Sequence, residues 1–212
     1  MTDVFPSVTV IDHPLAAHAL TILRDRRTGT ALFRQAARQI SLLLAHEATR
    51  DLKLTRIEIE TPLELMQAPV LAGPPPCVVS ILRAGNAIQQ AMLEVLPDAA
   101  AGHIGLARNE TTLDAAEYYL KLPPDVAARS VILVDPMLAT GGSAVRAVNR
   151  LREAGVRQIR FACLLAAPEG LRRFTAAHPD VPVITAAIDR GLDERGYIRP
   201  GLGDAGDRFH GT

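Results

Sequence analysis

The chain has 212 residues, of which 48% are hydrophobic and 22% charged, a balance that allows one sizeable core and excludes an intrinsically disordered chain. Its 23 basic and 23 acidic residues cancel, so no global field favours nucleic acid or an anionic membrane, and any anion site has to be local. Cys77 and Cys163 lie far apart in apolar runs, which reads as two small core residues in a reducing compartment rather than a disulfide or metal pair.

Near the start, the apolar run Leu15 to Leu23 precedes the charges Arg24-Asp25-Arg26-Arg27. A secretory signal needs the opposite order and a bilayer span needs more length, so the expected location is the cytoplasm. His13-Pro14 opens a helix to about Asp25. Leu32, Ala36, Ile40, Leu43 and Leu44 at helical spacing predict a second from about Thr30 to Asp51. Arg56 to Thr61 alternates polar and apolar, a half-exposed strand that Pro62 stops. Pro74-Pro75-Pro76 breaks the chain before a buried strand, Cys77 to Leu82. A turn at Arg83-Ala84-Gly85 and a helix from Asn86 to Leu96 follow.

His103 to Ala107 reads as a strand, Arg108 to Thr112 as a polar loop, and Tyr118 to Leu120 as the return strand of a protruding hairpin. Ser130 to Val134 is a buried strand, and the helix from Ser143 to about Ala154 ends at Gly155. Gln158 to Leu165, Glu169 to Ala177 and Val181 to Ile188 continue as strand, helix and strand. This alternation predicts an α/β fold of right-handed βαβ units on a mainly parallel sheet, with ligands beyond the carboxyl ends of the strands. Arg83, Asp135 and Asp189 fall at such ends and are expected on one rim. From Asp189 onward there are six glycines and little periodicity. Tyr197, Ile198, Leu202 and Phe209 in that tail favour an ordered, functional loop over a frayed end.

The most informative segment is Val131-Ile-Leu-Val-Asp135-Pro-Met-Leu-Ala-Thr-Gly-Gly-Ser143. A buried strand delivers a carboxylate that can accept from sugar hydroxyls. The glycine turn and the helix behind it offer backbone N–H groups and a positive helix end to an anion. The Walker A ending is missing, and so is the Gly-x-Gly-x-x-Gly fingerprint. The plainer alternative is a strand-to-helix turn in which Asp135 or Thr140 only caps a helix. Arg83, at the end of a second buried strand, suits a second phosphate group or a surface ion pair, and Arg108-Asn109-Glu110 suits a lid or a solvated loop.

These pieces, in this order and over nearly the whole chain, resemble the uracil phosphoribosyltransferase family. The resemblance runs through His13-Pro-Leu15, Glu60-Thr-Pro62, Ile81-Leu-Arg-Ala-Gly85, Arg108-Asn-Glu110 and the nonapeptide Asp135 to Ser143. It continues through Ala166-Ala-Pro-Glu-Gly170 and Gly196-Tyr-Ile-Arg-Pro-Gly-Leu-Gly-Asp-Ala-Gly206. Other phosphoribosyltransferases usually carry two adjacent acids at the end of the central strand. Here the second is Pro136, which fits the uracil branch. The family usually has Pro before Ile-Leu-Arg-Ala-Gly and a small apolar pair after it; this chain has Ser80 and Asn86-Ala87. Its lid loop also reads Arg108-Asn-Glu-Thr-Thr where Glu often takes the fourth place.

The resemblance implies a three-layer phosphoribosyltransferase fold with helices flanking the sheet, a protruding hairpin and a glycine-rich C-terminal hood. Residues 1–212 would form a single domain: N-terminal helices and strand to about 60, core from about 75 to 188, base-binding tail from about 189 to 212. It implies transfer of a phosphoribosyl group from 5-phosphoribosyl 1-diphosphate (PRPP) to uracil, giving UMP and diphosphate. Arg83, Asp135 and Asp204 are then the catalytic candidates. Arg83 and Arg108 would grip the diphosphate, Asp135 the ribose hydroxyls, and Pro136, Met137, Leu138, Ala139, Thr140, Gly141, Gly142 and Ser143 would surround the 5-phosphate. Asp204 would also lie near the donor. Ile198, Gly203, Asp204 and Ala205 would form the uracil pocket, largely through backbone groups. Mg²⁺ is implied as cofactor, held mainly through PRPP and with no side chain as metal ligand. GTP is an activator in some members, and a homodimer or larger homo-oligomer is implied, with the N-terminal helices and the Pro14 and Pro62 segments as contact candidates. Neither nucleic acid nor membrane is an expected partner. Two alternatives remain: a regulatory, non-catalytic nucleotide sensor, and the same transfer to another base.

Overall fold

The computed structural model describes residues 5–108 and 115–212. A short strand, β1 (Val8–Val10), precedes two helices, α1 (Pro14–Arg24) and α2 (Thr30–Ala48). The start of α1 follows from its sequence: Pro14 lies in the first turn and His13 Nδ1 accepts the Leu15 amide at 3.1 Å. In α2 the buried stripe is Phe33, Ala36, Ala37, Ile40, Leu44 and Ala48. Leu32 falls off that stripe and is exposed, a correction to the predicted face.

The strand expected at Arg56 to Thr61 is β2 (Leu54–Glu60), paired antiparallel with β3 (Leu65–Leu71) in a hairpin separate from the main sheet. The N-terminal part therefore runs past residue 60 to Leu71. The whole of β2 is exposed, not one face of it. Pro69 hid β3 from the sequence reading; a two-stranded ribbon tolerates it because each strand keeps a free edge.

The core alternates as predicted: β4 (Cys77–Leu82), α3 (Gly85–Val95), β5 (Ala100–Arg108), β6 (Ala115–Lys121), β7 (Val131–Val134), β8 (Met137–Leu138) and α4 (Gly142–Glu153). Then come β9 (Ile159–Cys163), β10 (Leu165–Ala166), α5 (Pro168–Ala177) and β11 (Val183–Thr185). The single strand expected over Gln158 to Leu165 is thus split in two, and β11 is shorter than its predicted span. Seven strands form the main sheet in the order β1-β11-β9-β7-β4-β5-β6. All neighbours are parallel except β6, which returns antiparallel against β5 as the expected hairpin.

Helices cover both faces, which makes three layers. Ile132 and Val134 of β7 face one core with residues of α1, α2 and α3. Val131 and Leu133 face the other, with Val148 and Leu151 of α4 and Leu171 and Phe174 of α5. A strand covered on both sides has to be apolar throughout, which is why Val131 to Val134 reads as an unbroken run. Cys77 and Cys163 are buried and free, and burial pushes their thiols up to about 11 and about 12, so neither is a ready nucleophile. No helix among the described residues is long and apolar enough to cross a membrane.

The glycine-rich tail carries β12 (Gly191–Leu192), β13 (Ile198–Arg199) and a short helix, α6 (Ala205–His210). Within it α6 packs on the N-terminal helices, while β12 lies against α5, where the Leu192 amide donates to Glu169 Oε1 at 3.2 Å. Phe209 meets Phe33 edge-on, 5.0 Å between ring centroids, and the Arg208 guanidinium lies 4.3 Å from the centre of the Phe33 ring. Arg208 also donates to the carbonyls of Leu23 and Asp25, capping the end of α1 with a cation.

Candidate active site

The carboxyl ends of β4 and β7 are neighbours, with Ser80 opposite Val134. Arg83 leaves β4 and Asp135 leaves β7 on the same rim. Their closeness depends on Gly85, where a Cβ would lie 2.7 Å from the Val134 carbonyl oxygen. Glycine there lets the first turn of α3 rest on the end of β7. Arg83 is exposed and takes part in no ion pair among the described residues. Arg108 ends β5, parallel to β4 and on the same rim. Asn109 and Glu110 lie outside the described residues. Ser80, where the family usually has Pro, is buried and its hydroxyl meets His103 Nδ1 at 2.9 Å. Asn86 is exposed in the first turn of α3.

Asp135 is half-buried. Burial alone pushes its carboxyl up to about 8, with no charge or hydrogen bond to offset it. The loop that follows is pinned from below. β8 pairs with β10, and the Ala167 amide donates to Leu138 O at 2.9 Å. At Gly141, φ is +78° and the Gly141 carbonyl accepts the Val145 amide at 3.0 Å, so α4 starts there and points its free amides at the loop. Gly170 of α5 lies so close beneath that a Cβ on it would stand 2.3 Å from Ala139 O and 2.6 Å from Leu138 O. The Arg173 side chain adds positive charge beside this turn: a Cβ on Gly142 would lie 3.4 Å from its Nη1. Sequence reasoning missed Arg173, which sits 30 positions later on the next helix with no local signal.

Asp189, the third residue expected on the rim, is not free to act there. Its carboxylate is paired with Arg24 at 2.6 Å. Asp204 is exposed and caps α6, its Oδ1 accepting the Asp207 amide at 3.0 Å, which leaves the other carboxylate oxygen uncommitted by that bond. The side chains of Ile198 and Ala205 are buried, at 4% and 2% exposure. They can meet a ligand only through backbone or a small apolar face. Ile198 and Gly203 line a cavity of about 730 Å³ with Tyr197 and Pro200. Tyr197 was not among the sequence candidates, although it stands between Gly196 and Ile198 in the quoted motif. The tail reaches the anion loop at Gly196, where a Cβ would be 3.6 Å from Thr140 Cγ2.

A carboxylate and an amide-lined turn thus share one strand end, a guanidinium with no ion pair among the described residues follows the adjoining strand, and the tail that lines the cavity touches the turn at Gly196. Such a sheet and rim define a phosphoribosyltransferase of the type I fold. Adenine phosphoribosyltransferase from Trypanosoma brucei shares the fold at a TM-score of 0.60, 13% identity, covering 92% of this chain and 89% of that one. A solved Aquifex aeolicus protein superposes at 0.92, with 33% identity over 97% of this chain and 98% of that one. The family model for uracil phosphoribosyltransferase matches residues 10–212. Uracil phosphoribosyltransferases from Agrobacterium fabrum and Mesorhizobium japonicum are each 58% identical over 97% of this chain and 98% of theirs. The chain belongs to the uracil phosphoribosyltransferase family.

Proposed function

We infer that this rim transfers the phosphoribosyl group of PRPP to N1 of uracil, releasing UMP and diphosphate. The observation that carries the reading is the junction at Thr140, which Gly196 of the tail approaches from between Arg195 and Tyr197, two residues that line the tail cavity with Ile198 and Gly203. Donor and acceptor subsites adjoin there. As the bond from C1 to the diphosphate oxygen breaks, its electron pair leaves with diphosphate and the sugar gains oxocarbenium character. Arg83 and Arg108 stabilise the departing charge. Asp135 accepts from the ribose hydroxyls and fixes the ring, and the amides at the start of α4 hold the 5-phosphate. The tail presents the base so that the N1 lone pair meets C1 as the N1 proton departs, a gain from orientation.

Among the described residues no cluster of three or more His, Cys, Asp or Glu is arranged to hold a metal ion. Asp135 offers one carboxylate on the rim, a donor set that suits a Mg²⁺ carried mainly by the oxygens of PRPP. When bound, Mg²⁺ supplies further neutralisation of the leaving charge. UMP formation from uracil, assayed beside cytosine, orotate, hypoxanthine and guanine, tests the reading. Turnover on another base with none on uracil overturns it.

The raised Asp135 carboxyl gives a pH prediction. Hydroxyl donors and nearby Mg²⁺ favour the ionised form, so PRPP affinity is expected to rise as pH increases toward about 8. Titration calorimetry of PRPP binding between pH 6 and 9 checks this. The Asp135→Asn protein should lack that dependence, and an identical pH profile in both would remove Asp135 from the donor site.

We propose further that the chain works as a homo-oligomer joined through the β2–β3 hairpin. Leu54, Ile57, Leu63, Leu65, Met66 and Leu71 are all exposed on it, Leu63 at 94%. A two-stranded ribbon with that much bare apolar surface is poorly stable alone in water. Sedimentation should give at least twice the 22.8 kDa chain mass, and Ile57→Lys with Leu65→Lys should reduce it to the single-chain value. A wild-type protein that sediments as a monomer overturns the proposal.

A further inference from the structure

Asp189 and Arg24 do their work one step behind the base pocket. The Asp189 carboxylate is 7% exposed and takes both terminal nitrogens of Arg24, Nη1 to Oδ2 at 2.7 Å and Nη2 to Oδ1 at 2.6 Å. The same two side chains grip one residue of the tail. The Gly201 amide donates to Asp189 Oδ2 at 2.8 Å, and Arg24 Nη1 donates to the Gly201 carbonyl at 2.9 Å. Gly201 has φ +64° and is folded back so tightly that a Cβ would lie 2.0 Å from Ile198 O. On one side of this held residue stands Ile198, and on the other Gly203, both lining the tail cavity.

We propose that Arg24 and Asp189 are positioning residues for uracil: by fixing both polar groups of the Gly201 backbone they set the spacing between the Ile198 and Gly203 walls of the base pocket. Neither touches the base. The proposal rests on the uracil-transfer reading given above and adds residues to it. A planar bidentate pair suits this role, since it constrains direction as well as distance. The rest of the tail has its own anchors. Arg208 on the end of α1 and Phe209 against Phe33 hold α6 without touching Gly201, and Arg208 Nη1 also takes the neighbouring Leu202 carbonyl at 2.9 Å. Loosening the clamp should therefore relax the turn between Ile198 and Gly203 without releasing the tail.

Steady-state kinetics of Arg24→Lys and Asp189→Asn test this, with uracil varied at saturating PRPP and PRPP varied at saturating uracil. The KM for uracil is expected to rise about tenfold or more in each variant, while the KM for PRPP changes less than twofold. The double variant should be no worse than either single one, as for two parts of one unit. Amide hydrogen exchange at Leu202 and Gly203 should quicken in both variants. An unchanged uracil KM, or equal rises in both KM values, overturns the clamp. Arg24→Lys keeps the charge and decides the matter if Asp189→Asn does not fold. A wild-type protein that makes no UMP from uracil would instead overturn the underlying reading.

Discussion

Asp135→Asn is expected to lower kcat/KM for UMP formation about a hundredfold or more while raising the thermal stability of the protein without ligand. Both effects have one cause. A half-buried carboxylate on the rim, with no hydrogen-bond partner among the described residues, is costly to ionise, and burial pushes it up to about 8. The folded chain holds this proton more tightly than the unfolded chain, whose carboxyl has the ordinary value of 3.8. The contribution to stability is therefore full below about pH 4 and is lost as pH rises toward about 8. Asn keeps the shape and removes the charge, a gain on the order of 1–2 kcal/mol at neutral pH, or roughly 3–6 °C for a chain of this length. Bound donor reverses the balance: charge-assisted hydrogen bonds to the ribose hydroxyls contribute about 1.5–3 kcal/mol each, and every 1.36 kcal/mol is about tenfold in rate. Melting curves at pH 4 and pH 7.5 beside initial rates check both halves. A variant that loses activity and stability together would assign Asp135 to the fold rather than to the donor. Arg83→Ala, at an exposed position, should cut the rate at least about tenfold and leave the melting curve in place.

The second large effect is expected at a residue that touches no substrate. Gly170→Ala places a methyl group against Ala139 O and Leu138 O, at 2.3 Å and 2.6 Å before any relaxation. Both obstacles are backbone atoms of the anion loop, so no side-chain rotation clears them. Either α5 retreats or the loop moves. Overpacking of this kind costs about 1–3 kcal/mol, and a shift of the loop misaligns the amides at the start of α4. Competitive inhibition by ribose 5-phosphate should weaken about tenfold or more, and inhibition by diphosphate should weaken far less. Equal weakening of the two would mean that the whole rim has moved. Wild-type affinity for ribose 5-phosphate would mean that the contact below the loop does not set it.

The contrast between Asp135 and Asp189 shows how far local sequence carries. Both follow apolar runs at the ends of parallel strands, and on the page they look alike. Asp135 is followed by the glycine turn that starts α4, so the donor site proposed for it is written within nine residues. Asp189 takes its meaning from Arg24, 165 positions away, and no periodicity or spacing connects them. The same reason hid the anchorage of Arg208 on α1 and the capping of α6 by Asp204. The parallel core was legible because β7 is apolar without interruption, β4 and β9 are each broken by a single polar residue, Ser80 and Arg160, and amphipathic helices lie between them. β3 was not, because its pairing with β2 leaves both strands in solvent and Pro69 masks the run. The fold class was therefore readable, and so was the glycine turn after Asp135 that starts α4. How the tail is held was not.

That the tail docks on α1 and α2 has a consequence for the order in which the enzyme is made. The Leu23 carbonyl leaves the ribosome 185 positions before the Arg208 side chain that binds it. A nascent chain that has just released β11 already contains every described strand of the main sheet and the loop after Asp135, yet it lacks the tail segment that lines the proposed base pocket. On the uracil-transfer reading, the base site is complete only once this late segment has emerged and docked on α1 and α2.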